Sequence, residues 1–598
     1  MGIPWLTATL QPLADVRLLQ DEAVVIDGPA LAYHILHVCR INGVVQPSYR
    51  LVAQTTLAWL DELSSHNVVV AAIYFDGHLP ESKLEIRMER SMRNSARIGR
   101  LFFDNPHGCR RDQIAAVGGQ NHGLNQLTSA NVDAFRAGVP SVKALADPSF
   151  FVPAIVEALR CSDRYRSVVR LGPGEADTVC ARHVAKHGGL VLTSDSDLLV
   201  YDLGAGEVAF FRDIYRGAES AIMCSSFAPR SISNKLGLLG STGILRVAYE
   251  LQCAPHATLP QITRACERPV ANMPKYLELH KRYLHDEDEQ EGDFRDLGHQ
   301  LLPRLSKLDP RLSELVVELY SSVIPRHSNS VARIFLPVLI ENMDRGSAWQ
   351  QSTPIRRLAY SLLEIDSPGR SMSILEYRRV QSVTQKGRLI ETASATEIGQ
   401  YIDEVLEVME RMKDLDSVPG RYYWPLVGLA LDIGECQKQG KQSHAWHMLQ
   451  QRYKQSVAWS NSVSWGVVHL FAQVQATLYS FRMLRQVMSI VRKGAAKYKL
   501  PSNLKQLWPA VRHFPPLTGF PEMDDILGLL LESREAGFMR EFAELMCFDM
   551  VSSPDVDKAA KGASERSTDG GMDENVQNLA TKHDKWNKAN KFGVLSAD

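Results

Sequence analysis

The sequence predicts an α/β fold with a central, mostly parallel sheet, joined to a large and mainly α-helical C-terminal region. Over residues 1–250, short apolar, β-branched runs alternate with stretches whose apolar residues have helical spacing. This strand–helix–strand alternation is typical of a parallel sheet covered by helices. From about residue 300 to 550, Leu, Ala and Met recur at helical spacing and strand signals are scarce.

The elements of the first half follow one another in a regular order. Residues 23–27 and 68–75 have the pattern of buried strands that end in Asp-Gly, and the apolar spacing over 49–63 predicts a helix between them. The further predicted strands are 167–171, 189–192 and 198–203, and the further predicted helices are 151–160 and about 176–186.

The alternation is interrupted by residues 81–165, which look like an insertion. They begin with a helical pattern and pass through a Gly-, Asn- and Ser-rich stretch without periodicity. The predicted organisation is a domain over 1–270 that contains this insertion, an acidic linker over 271–300, a helical region over 301–550 and a disordered tail over 551–598.

Composition excludes several classes of protein. The 598 residues contain 67 Lys and Arg against 68 Asp and Glu, a net charge of −1, which excludes a uniformly basic nucleic-acid coat. Nine Cys without a CxxC pair argue against a disulfide scaffold and against a Cys-rich zinc module. Without an apolar run of ~18 residues or a signal peptide, a soluble intracellular protein with no membrane contact is expected.

Acidic residues fall where the predicted strands end. In a parallel sheet these carboxyl ends share one edge, so four chain segments would bring six carboxylates together. Such a cluster is repulsive unless cations lie within it, and Mg²⁺ or Mn²⁺ suits carboxylate and water ligands best. The predicted metal ligands are Asp27, Asp76, Glu175, Asp177, Asp195 and Asp197.

Each acidic motif also has a plainer interpretation. An Asp-Gly pair after a strand is most often a turn, Glu175 can complement a helix dipole, and residues 195–197 can form a solvated turn. The joint order and placement favour the metal site.

A row of cations follows Asp76. At spacings of 4, 3, 3, 4 and 3 residues, the side chains lie on one face of a predicted helix: Lys83, Arg87, Arg90, Arg93, Arg97 and Arg100. The alternative is an ordinary solvated helix with i,i+4 ion pairs. The segregation by sign favours a surface for a phosphate backbone, with Lys83 and Arg90 best placed to contact a scissile phosphate.

Taken in order, the motifs resemble those of the flap endonuclease/XPG nuclease superfamily, whose core is a PIN-like α/β fold. They are MGIPWL at the N-terminus, VVIDG, FDG with a Lys and an Arg seven and fourteen residues on, GPGEAD and TSDSDLL. Within that superfamily, residues 149–159 and 331–364 are most similar to fungal asteroid-type proteins.

The resemblance implies a site chemistry. The six acids would bind two Mg²⁺ or Mn²⁺ ions, Lys83 and Arg90 would act as catalytic residues in an arch over the site, and Gly2 would contact nucleic acid together with Arg87, Arg93, Arg97 and Arg100. It also implies a nuclear location, with the cytoplasm as the alternative.

One departure concerns the second ion. The family has a further Asp, followed by a Gly-rich hairpin that grips duplex DNA, where this chain has residues 247–265 without an Asp. Glu250 or His256 could substitute in part, although His256 is better interpreted as a neutral core residue. A weakly bound second ion is therefore expected.

Three functions fit these patterns. The leading one is a metal-dependent endonuclease acting on branched, flapped or single-stranded DNA in repair or processing. The second is a catalytically weak or inactive scaffold that binds nucleic acid or protein partners in post-transcriptional regulation, and the third is an RNA nuclease. The helical region would pack on the core or recruit unknown protein partners, and its Trp424, Trp459 and Trp465 are predicted as core residues.

Overall fold

The computed structural model describes residues 2–79, 81–115, 129–144, 146–172, 174–238, 243–283, 305, 307–320, 331–365, 373–415, 419–451, 461–494, 501–533 and 536–548. By their internal contacts, residues Met1–Met546 form one compact unit. The predicted tail over 551–598 lies outside the described residues, as does most of the predicted linker.

The described strands are β1 (Asp15–Leu18), β2 (Ala23–Asp27), β3 (Val69–Phe75), β4 (Cys109–Arg110), β5 (Val169–Leu171), β6 (Leu190–Thr193), β7 (Glu207–Arg216), β8 (Ile222–Phe227), β9 (Ala332–Phe335), β10 (Ser373–Tyr377), β11 (Arg388–Glu391) and β12 (Ser462–Val463). The helices of the first half are α1 (Leu6–Leu10), α2 (Gly28–Ile41), α3 (Tyr49–Ser65), α4 (Leu84–Asp104), α5 (Phe151–Cys161), α6 (Ala176–His187), α7 (Pro229–Lys235), α8 (Gly243–Cys253), α9 (Leu259–Cys266) and α10 (Met273–Tyr283). Those of the second half are α11 (Pro310–Tyr320), α12 (Thr353–Ile365), α13 (Ala395–Arg411), α14 (Tyr423–Lys438), α15 (His444–Gln450), α16 (Trp465–Gly494), α17 (Leu504–Val511), α18 (Met523–Glu532) and α19 (Ala536–Met546).

A seven-stranded sheet with the order β1-β8-β7-β6-β2-β3-β5 forms the core of the first half. The five strands from β7 to β5 run parallel, and β8 pairs antiparallel with both β7 and β1. The predicted mostly parallel α/β sheet is therefore confirmed. Because β6, β2, β3 and β5 are neighbours with one direction, their carboxyl ends meet along a single edge.

One predicted strand is wrong. Residues Ser196–Leu199 form a 3₁₀ turn, and the chain does not extend over 198–203. Leu198, Leu199 and Val200 are apolar because they are buried in the core beside the sheet. A short apolar run cannot distinguish a buried turn from a buried strand by periodicity alone. The strands β1, β7 and β8 were not predicted.

The second half is mainly helical, as predicted, but it also contains a sheet of three strands in the order β11-β10-β9. Strands β9 and β10 run parallel and are connected through α12, which packs along the 30-residue helix α16. Trp465 is buried against Phe102, with the ring centroids 4.9 Å apart, and Trp424 is half-buried. The third residue of that prediction, Trp459, lies outside the described residues.

Helix α4, which carries the predicted row of cations, is packed against the second half. Met88 lies in a buried cluster with Phe335, Tyr377 and Val380 of the small sheet and its neighbourhood. Farther along the insertion, β4 pairs with β12. Residues 273–283 of the predicted linker form helix α10. None of the described helices is long and apolar enough to cross a membrane.

Candidate active site

The carboxyl edge of the large sheet brings the predicted acids into one row. Following the strand order, Asp195 and Asp197 come after β6, Asp27 ends β2, Asp76 follows β3, and Glu175 and Asp177 begin the segment after β5. The row therefore arises from the parallel topology, which places residues more than a hundred positions apart at adjacent strand ends.

Asp27 lies deepest in this row. Its side chain is 6% exposed; Oδ1 accepts the backbone N–H of Ala30 at 3.1 Å, and Oδ2 accepts the hydroxyl of Thr193 at 2.7 Å. Burial raises the pKa of Asp27 to about 7, with Asp76 and Asp195 adding to the rise and the two hydrogen bonds opposing it.

Asp76 and Glu175 form the β3–β5 end of the row. Asp76 Oδ1 accepts the N–H of Ala176 at 2.9 Å, so this carboxylate caps α6. Burial raises the pKa of Asp76 to about 6; Glu175 raises it further and Arg90 lowers it. Glu175 is paired with Lys83, whose Nζ lies 2.9 Å from Oε1. Lys83, predicted to contact a scissile phosphate, therefore lies at the acid edge, where it forms an ion pair with Glu175.

Asp177 is the acid that most of the others surround. Burial raises its pKa to about 8, and the charges of Glu175, Asp27, Asp76 and Asp195 raise it in the same direction. Its Oδ1 accepts the backbone N–H of Thr178 at 2.9 Å. A carboxylate with this many anionic neighbours is stabilised by a cation and destabilised without one.

Asp195 and Asp197 form the other end, beside the N-terminal segment. Gly2 has φ +93, and a Cβ on it would overlap Asp195 Oδ1 and lie 2.9 Å from Asp197 Oδ1, so glycine is required there. Asp197 Oδ2 accepts the Tyr283 hydroxyl at 2.8 Å, while Oδ1 is buried and has no partner of hydrogen-bond geometry among the described residues. Burial and Asp195 raise the pKa of Asp197, whereas Tyr283, Arg282 and the nearby backbone of Ile3 lower it.

The chemistry of this donor set fits a hard divalent cation. Its groups are carboxylates, several with raised pKa values, and one buried oxygen has no hydrogen-bond partner within the part of the chain that the structure describes. Within the described ranges, however, no group of three or more His, Cys, Asp and Glu side chains is arranged as a ready metal site. The edge therefore has suitable donors, and two of them are already engaged by side chains of this chain: Glu175 by Lys83 and Asp197 by Tyr283.

The cations of α4 differ in their surroundings. Arg90 is exposed and close enough to Asp76 to lower the pKa of that carboxyl. Arg97 and Arg100 are exposed as well, and Arg93 forms an i,i+4 pair with Glu89 at 2.9 Å. The predicted helix is thus present, and four of its six cations are exposed.

Arg87 is oriented away from this exposed face. Its Nη2 lies 2.8 Å from Glu314 Oε2, and its guanidinium stacks 4.3 Å from the Phe335 ring centroid. In this arrangement Arg87 fastens α4 to α11 and to the small sheet. A contact with nucleic acid would require Arg87 to leave that pair.

Residues 247–265, which stand where the family has its further Asp, lie in α8, in α9 and in the loop between them. Glu250 is paired with Arg246 at 2.8 Å. His256 is exposed in the loop after α8, so its interpretation as a core histidine is wrong. The residue that contacts the acid row from this side is Tyr283.

Two positioning residues were missed from the sequence. Thr193 donates to Asp27 and accepts the N–H of Asp195 at 3.0 Å, which links two neighbouring strand ends. The TSDSD motif contains this threonine, so a signal existed. Tyr283 lies 86 positions from Asp197 and has no local motif.

Comparisons with known proteins agree with this geometry. Residues 147–390 match the family model described as XPG domain containing, a range that includes Glu175, Asp177, Asp195 and Asp197. Asteroid homolog 1 of Schizosaccharomyces pombe is 23% identical over 409 residues, which cover 65% of this chain and 66% of that relative. The match thus spans slightly less than two thirds of the relative's length. The chain is similar to XPG-type, nuclease-like proteins of the asteroid kind, which confirms the resemblance drawn from the motifs.

Proposed function

We propose that this protein is a divalent-metal-dependent nuclease that hydrolyses phosphodiester bonds in branched, flapped or single-stranded DNA. The observation that supports this most is the row of six carboxylates at adjacent parallel strand ends. Burial and mutual repulsion raise the pKa values of Asp27 and Asp177 to about 7 and 8. Burying several carboxylates side by side costs free energy, and a bound cation would offset that cost.

The six acids would hold Mg²⁺ or Mn²⁺, with the second ion bound weakly. They are Asp27, Asp76, Glu175, Asp177, Asp195 and Asp197. When bound, two such ions supply a water of lowered pKa and stabilise the charge of the leaving oxygen. Thr193 and Ala30 fix the Asp27 carboxylate, and Ala176 fixes Asp76, so these ligands are positioned before an ion arrives.

The cations at the β3–β5 end would bind the scissile phosphate. Lys83 would exchange Glu175 for a phosphate oxygen, and Arg90 would neutralise charge that develops during the reaction. Arg93, Arg97 and Arg100 would bind the backbone farther along α4, and the absence of a Cβ at Gly2 allows close approach at the other end. Arg87 would serve chiefly to hold α4 in place.

A second candidate function is a nuclease-like scaffold that binds nucleic acid or protein partners, in post-transcriptional regulation, with little cleavage. It is favoured by two contacts that engage candidate metal ligands within the chain, those of Glu175 with Lys83 and of Asp197 with Tyr283. RNA cleavage is the third alternative. A role in DNA repair and a nuclear location are proposals that rest on the similarity to asteroid-type proteins.

The deciding experiment combines cleavage with metal binding. Purified protein is incubated with labelled 5′-flap, 3′-flap, splayed-arm and single-stranded DNA and with matched RNA, in Mg²⁺ or Mn²⁺. The D195N/D197N variant is expected to lose about a thousandfold in cleavage rate, because charge stabilisation of this kind contributes about 4 kcal/mol.

Its control is the surface pair D61N/D163N, whose carboxylates are 53% and 91% exposed and which should cleave like the wild type. Mn²⁺ should also raise the melting temperature of the wild type and not that of D195N/D197N. Equal, metal-independent background in all three proteins, with nucleic-acid binding retained, would replace the nuclease by the scaffold.

A further inference from the structure

Trp5 combines an exposed indole with an unfavourable backbone conformation. Its side chain is 57% exposed, and its φ is +65°, in the left-handed region that residues other than glycine rarely adopt. Both features oppose folding stability, since a large apolar ring gains by burial and a glycine would remove the strain. Strained residues of this kind cluster at functional sites, which makes the surroundings of Trp5 informative.

The backbone is anchored on both sides of Trp5, beside the acid row on one side and in the core on the other. Ile3 is buried, and its carbonyl accepts the Ser196 hydroxyl at 3.2 Å. Leu6 is completely buried, and the carbonyl of Trp5 accepts the N–H of Thr9 at 2.9 Å. Two buried anchors therefore flank the strained residue and keep its indole on the outside.

The indole lies at the end of the acid row opposite to α4. At the end formed by Glu175 and Asp76, after β5 and β3, Lys83 pairs with Glu175, and Arg90 lies close enough to lower the pKa of Asp76. The segment that carries Trp5 contacts Asp195 and its neighbours after β6, with β2 between the two ends. A nucleic-acid strand that runs from the exposed arginines of α4 across the carboxylates would continue toward Trp5.

This second end also carries aromatic and cationic neighbours. The ring of the exposed His256 lies 6.4 Å from the Trp5 ring, with 56° between their planes. Helix α10, whose Tyr283 donates to Asp197, ends in the exposed Lys281 and Arg282. Arg282 is close enough to Asp197 to lower the pKa of that carboxyl. Exposed aromatic rings together with cations form the surfaces on which unpaired bases stack while their phosphates are neutralised.

We propose that Trp5, with His256 beside it, stacks an unpaired nucleobase next to the phosphate that lies at the acid row. The substrate class this implies is a single-stranded segment, because bases inside a duplex have both faces covered by their neighbours. The proposal rests on the proposed function for the path of the strand, but stacking itself needs no cleavage. Trp5 is a binding residue here and takes no part in bond breaking.

Stacking can be measured without hydrolysis. A set of single-stranded oligodeoxynucleotides is prepared, each with one 2-aminopurine, and the position of the probe moves by one nucleotide from one oligonucleotide to the next. Each is titrated with protein in EDTA, and quenching of the 2-aminopurine fluorescence reports an aromatic partner. Wild type should quench strongly at one or two positions. W5A should lose that quenching and bind the single strand about tenfold more weakly, with unchanged affinity for the matching duplex.

Three variants separate stacking from structural damage. W5F retains a ring and should keep most of the quenching. W5G relieves the backbone strain, so its melting temperature should equal or exceed that of the wild type while its affinity falls like that of W5A. Y215A removes another exposed ring, on β7, and should bind like the wild type.

The outcomes also separate this proposal from the nuclease. If W5A quenches and binds like the wild type, the stacking proposal is overturned even when D195N/D197N abolishes cleavage. If no variant cleaves but W5A and W5G lose the single-strand binding, stacking stands and the nuclease fails. An equal loss in duplex and single strand, or in Y215A, would also overturn the stacking role.

Discussion

The buried carboxylates at the edge of the large sheet and the buried Glu376 of the small sheet have opposite surroundings. At the edge of the large sheet, Asp27 and Asp177 have raised pKa values of about 7 and 8, because burial and neighbouring acids disfavour their charges. In the small sheet, Glu376 on β10 is fully buried, yet its pKa is lowered to about 2. Burial alone would raise that pKa, but Arg356 and Arg378 outweigh it.

Hydrogen bonds account for the difference. Glu376 Oε1 accepts Arg356 Nε at 2.7 Å and the Tyr360 hydroxyl at 2.8 Å, and Oε2 accepts Arg378 Nε at 2.9 Å. Every oxygen is thus satisfied within the fold. At the acid row, by contrast, Asp197 Oδ1 is buried and has no hydrogen-bond partner among the residues that the structure describes. The charge of Glu376 is thus balanced within the fold, whereas the carboxylates of the acid row raise one another's pKa values.

The largest effect is expected from removing the charge of the complete cluster. E376Q leaves Arg356 and Arg378 buried with no counter-charge, which should destabilise the protein by about 3–5 kcal/mol. The midpoint of urea unfolding, followed by tryptophan fluorescence, measures this. The matched control is E407Q, which breaks the exposed pair with Arg411 and should cost less than about 0.5 kcal/mol. Equal midpoints for E376Q and the wild type would contradict the comparison.

Asp432 tests whether a buried carboxylate without a cationic neighbour also has a raised pKa outside the acid row. It lies in the helical half on α14, is 8% exposed, and has Ser443 and Cys436 as hydrogen-bond donors. Burial raises its pKa to about 6. A raised carboxyl pKa gives the folded state more protons, so stability is present below about pH 4 and is lost as the pH rises through 6.

D432N should therefore match the wild type near pH 4 and exceed its unfolding free energy by about 3 kcal/mol at pH 8, because the asparagine oxygen still accepts from Ser443. Urea midpoints of both proteins at the two pH values give this difference. A difference that is constant with pH would mean that Asp432 stays charged at both pH values.

The acid row could be predicted from the sequence because its signals are local. Each carboxylate stands at or just after a strand, and motifs such as VVIDG and TSDSD keep strand and acid within a few residues. Parallel topology then brings them together without further information. The chain order and the strand direction were enough to place six side chains at one edge.

The small sheet and the contacts of Arg87 could not be predicted in the same way. Strands β9 and β10 have four and five residues and are separated by α12, so their pairing depends on tertiary packing. Arg87 has the spacing of the cation row, yet Glu314, 227 positions away, orients it inward. Helical periodicity gives the face of a side chain but not its partner across the fold.

The smallest effect concerns the ion pair between Lys83 and Glu175, in which a lysine of the chain neutralises one carboxylate of the acid row. The two side chains are 23% and 29% exposed, so the pair contributes about 1 kcal/mol or less. K83M should free Glu175 and tighten Mn²⁺ binding about threefold to fivefold, measured by calorimetry on metal-free protein, while weakening DNA binding.

R100M removes the same charge from the far end of α4 and serves as the control for net charge. A gain in Mn²⁺ affinity confined to K83M would show that Lys83 competes with the ion for Glu175, whereas equal gains in both variants would reduce the effect to general electrostatics. Weaker Mn²⁺ binding by K83M would mean that the lysine organises the acid row instead of occupying it.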